Sequence, residues 1–198
     1  ACEIPSDEIS KLTTDELLSK CINYQYMSDI LFHNEYKGVL DIMAEAFNGL
    51  DELFKRNDAA NTIINYYTKL KPEQINYLET PVEKGKFSFN FVFLELYLTQ
   101  PAILKQLEGQ EKTVIKAILK NVNECLILNS ASGNTTYSGY SLKVKCVLIA
   151  KMLEKMNDKS LNDIKDIYPE FNDVIENLST IKINEKLFER IIQRAIEL

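Results

Sequence analysis

Tryptophan is absent from this 198-residue chain, histidine occurs once, and glycine and proline number only six and five. Each scarcity excludes something. A lone histidine, His33, rules out metal centres built on two or more imidazoles. It is also the one side chain whose ordinary titration falls near neutrality, so any Ser/His or Cys/His mechanism would have to use it. Set among aromatics in Phe32-His33-Asn34-Glu35-Tyr36, it reads as a packed or exposed spectator. The few glycines form no phosphate-cradling loop, no dinucleotide fingerprint, no EF-hand loop and no Gly-x-Ser-x-Gly elbow. No cofactor and no metal are therefore expected.

Long apolar runs are missing too. Spanning a bilayer takes roughly 20 consecutive apolar residues. The densest stretches, Phe87–Leu98 and Cys146–Ala150, are too short or are broken by polar residues. Positive charge is not in excess. The net charge is −6; residues 1–99 hold 9 basic and 16 acidic side chains, and residues 100–198 hold 14 and 13. Neither half offers the cationic surface that nucleic acid requires, and the acidic N-terminal half opposes it. Acidic neighbours such as Asp7/Glu8, Asp15/Glu16 and Asp51/Glu52 point to different sides of a helix. They suit the positive end of a helix dipole better than paired acid/base work.

The chain is rich in short amphipathic helix patterns with caps between them. With 45% hydrophobic and 26% charged residues it has the composition of an ordinary globular protein, and its length suits one domain, residues 1–198. Thr13-Thr14-Asp15-Glu16 is a capping box, followed by Leu17, Leu18, Cys21 and Ile22 at helical spacing, with Glu16 and Lys20 placed for an i,i+4 pair. A second helix follows Gly38 and is expected to end at a left-handed Asn48-Gly49. Leu50–Arg56 reads as a short helix, Asp58 as the cap of the next, and Pro72 as the close of that one and the start of another.

The alternation of Phe87, Phe89, Phe91 and Phe93 suits a half-buried strand, but Val92, Leu96 and Tyr97 complete a helical stripe. A lone strand would have nothing to pair with, so a helix capped by Ser88 and ended by Pro101 is the reading adopted. Glu111–Leu128 carries an apolar stripe from Val114 to Leu126, with Lys112, Lys116 and Lys120 opposite as a solvated face. Ser141–Met156 is apolar all round in its middle and should be the most buried helix. Two shorter helices and a last one capped by Asn184 complete an all-α fold of about nine short helices. These pack as antiparallel hairpins in a compact or slightly superhelical domain.

Two features carry candidate chemistry. Between the two long helices lies a polar loop, Asn129–Tyr140, in which Asn134, Tyr137 and Tyr140 are candidate interaction residues. Tyrosine buries a large area at low rotamer cost and keeps a polar tip. The alternative is that both tyrosines cover the ends of the two helices. If those helices form a hairpin, Cys125 and Cys146 stand within about 3 Å of the same height at 1.5 Å per residue. They are then a candidate disulfide or a pair of buried free thiols.

The opening Ala1-Cys2-Glu3-Ile4-Pro5 has the texture of a bacterial lipoprotein processing site, which makes Cys2 a candidate for lipidation. Against this, a processed lipoprotein would not retain Ala1, and Cys2 is otherwise an incidental thiol. Thr14, Cys21-Ile22-Asn23-Tyr24 and Asp29, followed by Phe47-Asn48-Gly49, Glu52-Leu53, Arg56 and Asp58-Ala59, form a longer pattern. Over about residues 4–70 it resembles an uncharacterised family of exported, mostly helical proteins from Gram-negative gut-type bacteria, with Gln25 standing where that pattern has proline. The resemblance implies export to the periplasm or cell surface and a helical fold; it carries no activity and no site residues. The expected function is an exported, non-catalytic interaction or envelope-associated module whose partner is another protein or an envelope component. A small enzyme with an unrecognised active site is the competing class.

Overall fold

Twelve α-helices and two 3-10 segments follow one another in the computed structural model, which describes residues 3–132, 139–177 and 185–198. Among those residues there is no β-strand, so the fold is all-α. The N-terminal part holds α1 (Ser6–Ile9), α2 (Thr14–Ile22), a 3-10 segment (Met27–Phe32), α3 (Tyr36–Ala46), α4 (Asn48–Lys55), α5 (Ala59–Lys69) and a second 3-10 segment (Pro72–Tyr77). The remainder holds α6 (Pro81–Leu98), α7 (Pro101–Gln106), α8 (Glu111–Ser132), α9 (Gly139–Lys155), α10 (Ser160–Ile167), α11 (Phe171–Asn177) and α12 (Glu185–Ile196). One hydrophobic core draws on all of these regions, from Ile4 to Ala195. None of the helices described is long and apolar enough to cross a membrane.

The helices α6 and α9 lie at the centre. Phe91 to Leu98 are buried on every face of α6, and Val144 to Ala150 on every face of α9. This explains the two-way pattern at Phe87–Phe93. The four rings form two i,i+4 doublets, Phe87/Phe91 edge to face at 5.5 Å and Phe89/Phe93 tilted at 6.2 Å. Phe91 meets Tyr67 of α5, while Phe89 and Phe93 face the opposite side. Burial on two sides of one helix mimics strand alternation. The helix also begins earlier than Ser88. Thr80 and Glu83 make a reciprocal capping box with Pro81 in the first turn, and the Ser88 hydroxyl donates back to the Lys84 carbonyl.

The expected box at α2 is present: the Glu16 amide donates to Thr13 Oγ1 at 3.3 Å, and the Thr13 amide donates to Glu16 Oε2 at 2.8 Å. Those donors hold the Glu16 carboxyl below its usual range. Lys20, however, pairs at 3.0 Å with Glu8 of α1.

Asn48-Gly49 does not close α3. The chain leaves α3 through an extended Phe47, and Asn48 and Gly49 form the first turn of α4. Phe47 stacks on Tyr24 at 4.2 Å, and its ring lies over Gly49 so closely that a Cβ there would stand 2.4 Å from the ring tip. We therefore expect Gly49→Ala to destabilise by about 1–3 kcal/mol, the usual cost of overpacking. The gain in helix propensity, roughly 1 kcal/mol, offsets only part of this. Urea denaturation against the parent protein gives the sign: an unchanged or raised midpoint would mean that the ring yields freely.

Asp58 stands at the cap position of α5, yet its carboxylate accepts from the Thr14 hydroxyl at 2.8 Å and does not cap the helix through its side chain. Helix α8 packs most extensively on α9, the expected hairpin. Cys125 is buried as the stripe requires, but the seam is shifted from expectation: Asn121 is buried with it, and Leu126 is exposed. Leu126 lies about 100° round the helix from Cys125, away from the Val114–Ile118–Asn121–Cys125 seam. After α9, Asn157 takes a left-handed φ of 52°, and the Asp158 amide donates back to Leu153. That turn delivers the nearly buried Asp158 to Arg194 of α12, whose Nη2 donates at 2.6 Å. The hydrogen bond from Arg194 holds the Asp158 carboxyl below its usual range. This stabilising contact is complete at neutral pH and is lost as pH falls through the depressed value.

Candidate recognition cleft

The titratable side chains do not converge on a reaction centre among the described residues. His33 is exposed, just beyond the Met27–Phe32 segment. No cluster of three His, Cys, Asp or Glu side chains among the described residues could hold a metal ion. Asp51 pairs with Lys55 at 2.5 Å and Glu52 with Arg56 at 3.2 Å, both along α4. Lys112, Lys116 and Lys120 are exposed, and Lys120 lies 3.8 Å from Glu124 on its own helix.

Cys21, Cys125 and Cys146 are buried free thiols, so the candidate disulfide is not formed. Although α8 and α9 are neighbours, the two sulfurs have different partners. Cys125 donates to Asn121 Oδ1 one turn back on α8, and Cys146 donates to the Phe188 carbonyl of α12. Burial pushes the Cys21 thiol up to about 12 and Cys125 up to about 11, and raises Cys146 further. At neutral pH these sulfurs are protonated and poorly nucleophilic.

Helices α5, α6 and α9 enclose a polar constellation in the core. The Lys145 ammonium donates to Glu95 Oε1, which also accepts from the Tyr67 hydroxyl at 2.8 Å, and the ammonium lies 5.8 Å from the centre of the Phe91 ring. Glu95 and Lys145 are sealed from solvent, with side chains 0% and 2% exposed. The pair cross-links the two central helices and offers no path for a substrate.

The calls on the inter-helix loop fall mostly beyond what is described. The helices consume much of the expected loop, since α8 runs to Ser132 and α9 starts at Gly139. Asn134 and Tyr137 lie outside the described residues, as does Cys2; Tyr140 is in the first turn of α9, with its side chain outside them.

A concavity does exist on the described surface. It has a volume of about 270 Å³ and lies between the middle of α6 and the stretch that links α2 to the Met27–Phe32 segment. One stripe of α6, Lys86, Phe89, Asn90 and Phe93, supplies one wall at i, i+3, i+4 and i+7. The floor is apolar, from Phe89, Phe93, Ile22 and Met27; Asn23, Gln25, Ser28 and Asn90 bring amides and a hydroxyl. The opposite wall is braced. The Asn23 amide donates to the Ser19 carbonyl at 2.8 Å at the end of α2. Tyr24 is stacked on Phe47 and meets Tyr26 edge to face at 5.6 Å. Beneath it, Met27 is 1% exposed, with its sulfur 3.2 Å from the Tyr97 hydroxyl.

A second depression of about 200 Å³ lies between α10 and α12 and holds Arg190 and Arg194 beside Asp163 and Glu197. Its charges are mutually compensated, because Arg194 is already committed to Asp158 and Glu197.

The residues of the N-terminal pattern divide between scaffold and cleft. Asn23 and Tyr24 line the concavity. Asn48, Arg56 and Asp58 instead fasten the start of the chain, at Ile4, at Ile9 and Leu12, and at Thr14 respectively. Sequence reasoning placed Asn23 and Tyr24 in the N-terminal resemblance pattern and overlooked Lys86 and Asn90. The available signal was a pair of polar residues one turn apart on the Phe89/Phe93 face. Compared with known proteins, the chain matches no protein-family model, no curated protein and no solved structure.

Proposed function

We propose that the protein is an exported, non-catalytic recognition module of the cell envelope that binds another protein or an envelope component through the cleft beside α6. One observation carries this reading. A concavity on the described surface brings apolar and aromatic side chains, Ile22, Met27, Phe89 and Phe93, together with about as much polar lining from Asn23, Gln25, Ser28, Lys86 and Asn90. The stacked Tyr24–Phe47 pair and the Tyr97–Met27 contact limit the ordering that binding would otherwise require. Export is supported by the resemblance over about residues 4–70, with Cys2 as the point of any lipid attachment.

The test has two arms. Fractionation of native cells should recover the chain with the envelope or periplasm, and the mass of its N-terminal peptide reads the state of Cys2; recovery in the cytosol overturns export. Titration of the 15N-labelled protein with detergent-solubilised envelope should shift backbone amides within residues 22–28 and 86–93. Shifts confined to other surfaces, or none at all, overturn the cleft as the recognition site.

A further inference from the structure

Resting on that reading of the cleft, we infer that its ligand group is a small organic monoanion: a carboxylate on a compact apolar body such as a phenyl ring with a short chain. Lys86 is the one ionised side chain among the residues lining the concavity, and no carboxylate lines it. Lys86 is exposed, and neither it nor Asn90 has a side-chain hydrogen bond or ion pair among the described residues. The two are four residues apart on α6, so the ammonium and the amide rise on the same helical face. A carboxylate placed between them accepts from both, while its apolar body rests on the half-buried Phe89, behind which the buried Phe93 and Met27 close the cleft.

The missing lining carboxylate sets the selectivity. A zwitterionic amino acid would bring an ammonium with no counter-charge and lose its hydration. A neutral alcohol keeps the apolar contacts and forgoes the charge. Size points the same way, because a volume of about 270 Å³ is that of about nine water molecules. That accommodates a single aryl acid.

The experiment uses the full chain, 15N-labelled, titrated separately with 3-phenylpropionate, 3-phenylpropan-1-ol and phenylalanine. The acid should shift amides within residues 23–28 and 86–93 and bind about fivefold more tightly than the alcohol, the scale of a solvent-exposed ion pair. Phenylalanine should bind more weakly than the acid. Lys86→Gln, at an exposed position, should abolish the gap between acid and alcohol, and added salt should narrow the gap in the parent protein. Equal binding of acid and alcohol, or a gap that survives Lys86→Gln, overturns the monoanion class and leaves the cleft reading standing. If no probe shifts those amides while solubilised envelope does, the small-acid inference alone fails. If neither does, both fall.

Discussion

Lys145→Met should destabilise the protein by about 3–5 kcal/mol, the usual cost of orphaning one member of a sealed ion pair. The cause is the carboxylate left behind more than the lost attraction. Glu95 is 0% exposed and sits among Phe91, Leu94 and Leu98 on a helix with no solvent-facing side in this region. With the ammonium gone, the Tyr67 hydroxyl is a neutral donor that cannot replace a cation beside a buried carboxylate. Glu95→Leu with Lys145→Met in the same chain should recover most of the loss, because two apolar side chains of similar volume carry no desolvation cost. Urea denaturation of the two single variants and the double variant closes the cycle. Single variants costing less than about 1 kcal/mol, the range of exposed pairs, would show that water reaches the pair.

That pair also marks where the sequence was readable and where it was not. Helix class, the capping box at Thr13, the burial of Val144–Leu153 and the α8–α9 hairpin followed from periodicity and caps, which are local. Glu95 interrupts the apolar run Phe91–Leu98, and Lys145 opens the apolar run Cys146–Ala150, with opposite signs. Taken together, the two runs would have suggested a buried partnership between central helices. Long-range commitments defeated the local rules elsewhere. Asn48-Gly49 carries the signature of a helix end but opens α4, because Asn48 is bound at both its amide and its carbonyl oxygen to Ile4 and Gly49 makes room for Phe47. Asp58 carries the signature of a cap but is claimed by Thr14. The cleft was invisible for the same reason. Its walls come from Ile22–Ser28 and Lys86–Phe93, some 60 residues apart, and only packing unites them.

Three of those long-range contacts share one register: Ile4 with Asn48, Leu12 with Arg56 and Thr14 with Asp58 are all separated by 44 residues. The N-terminal arm therefore runs parallel to α4 and is fastened to it at both ends. Arg56 is the strongest fastening. Its Nη1 donates to the Leu12 carbonyl at 2.6 Å, its Nη2 to the Ile9 carbonyl at 3.0 Å and its Nε to Glu52 at 3.2 Å, and its own carbonyl accepts from Gln106. The side chain is only 16% exposed, so solvent cannot readily replace those donors. Arg56→Ala should then cost about 2–4 kcal/mol, from two charge-assisted hydrogen bonds whose partly buried acceptors lose their partners. Arg56→Lys should restore less than half, since one ammonium cannot reproduce a planar fork spanning two carbonyls and a carboxylate. Because the lost contacts lie between the arm and α4, amide exchange in Glu8–Thr13 should accelerate before exchange in α6 or α9 does. Uniform acceleration through α6 and α9 would instead mean that the arm unfolds only with the core, making it an integral part of the hydrophobic cluster in which Ile4 and Leu17 take part.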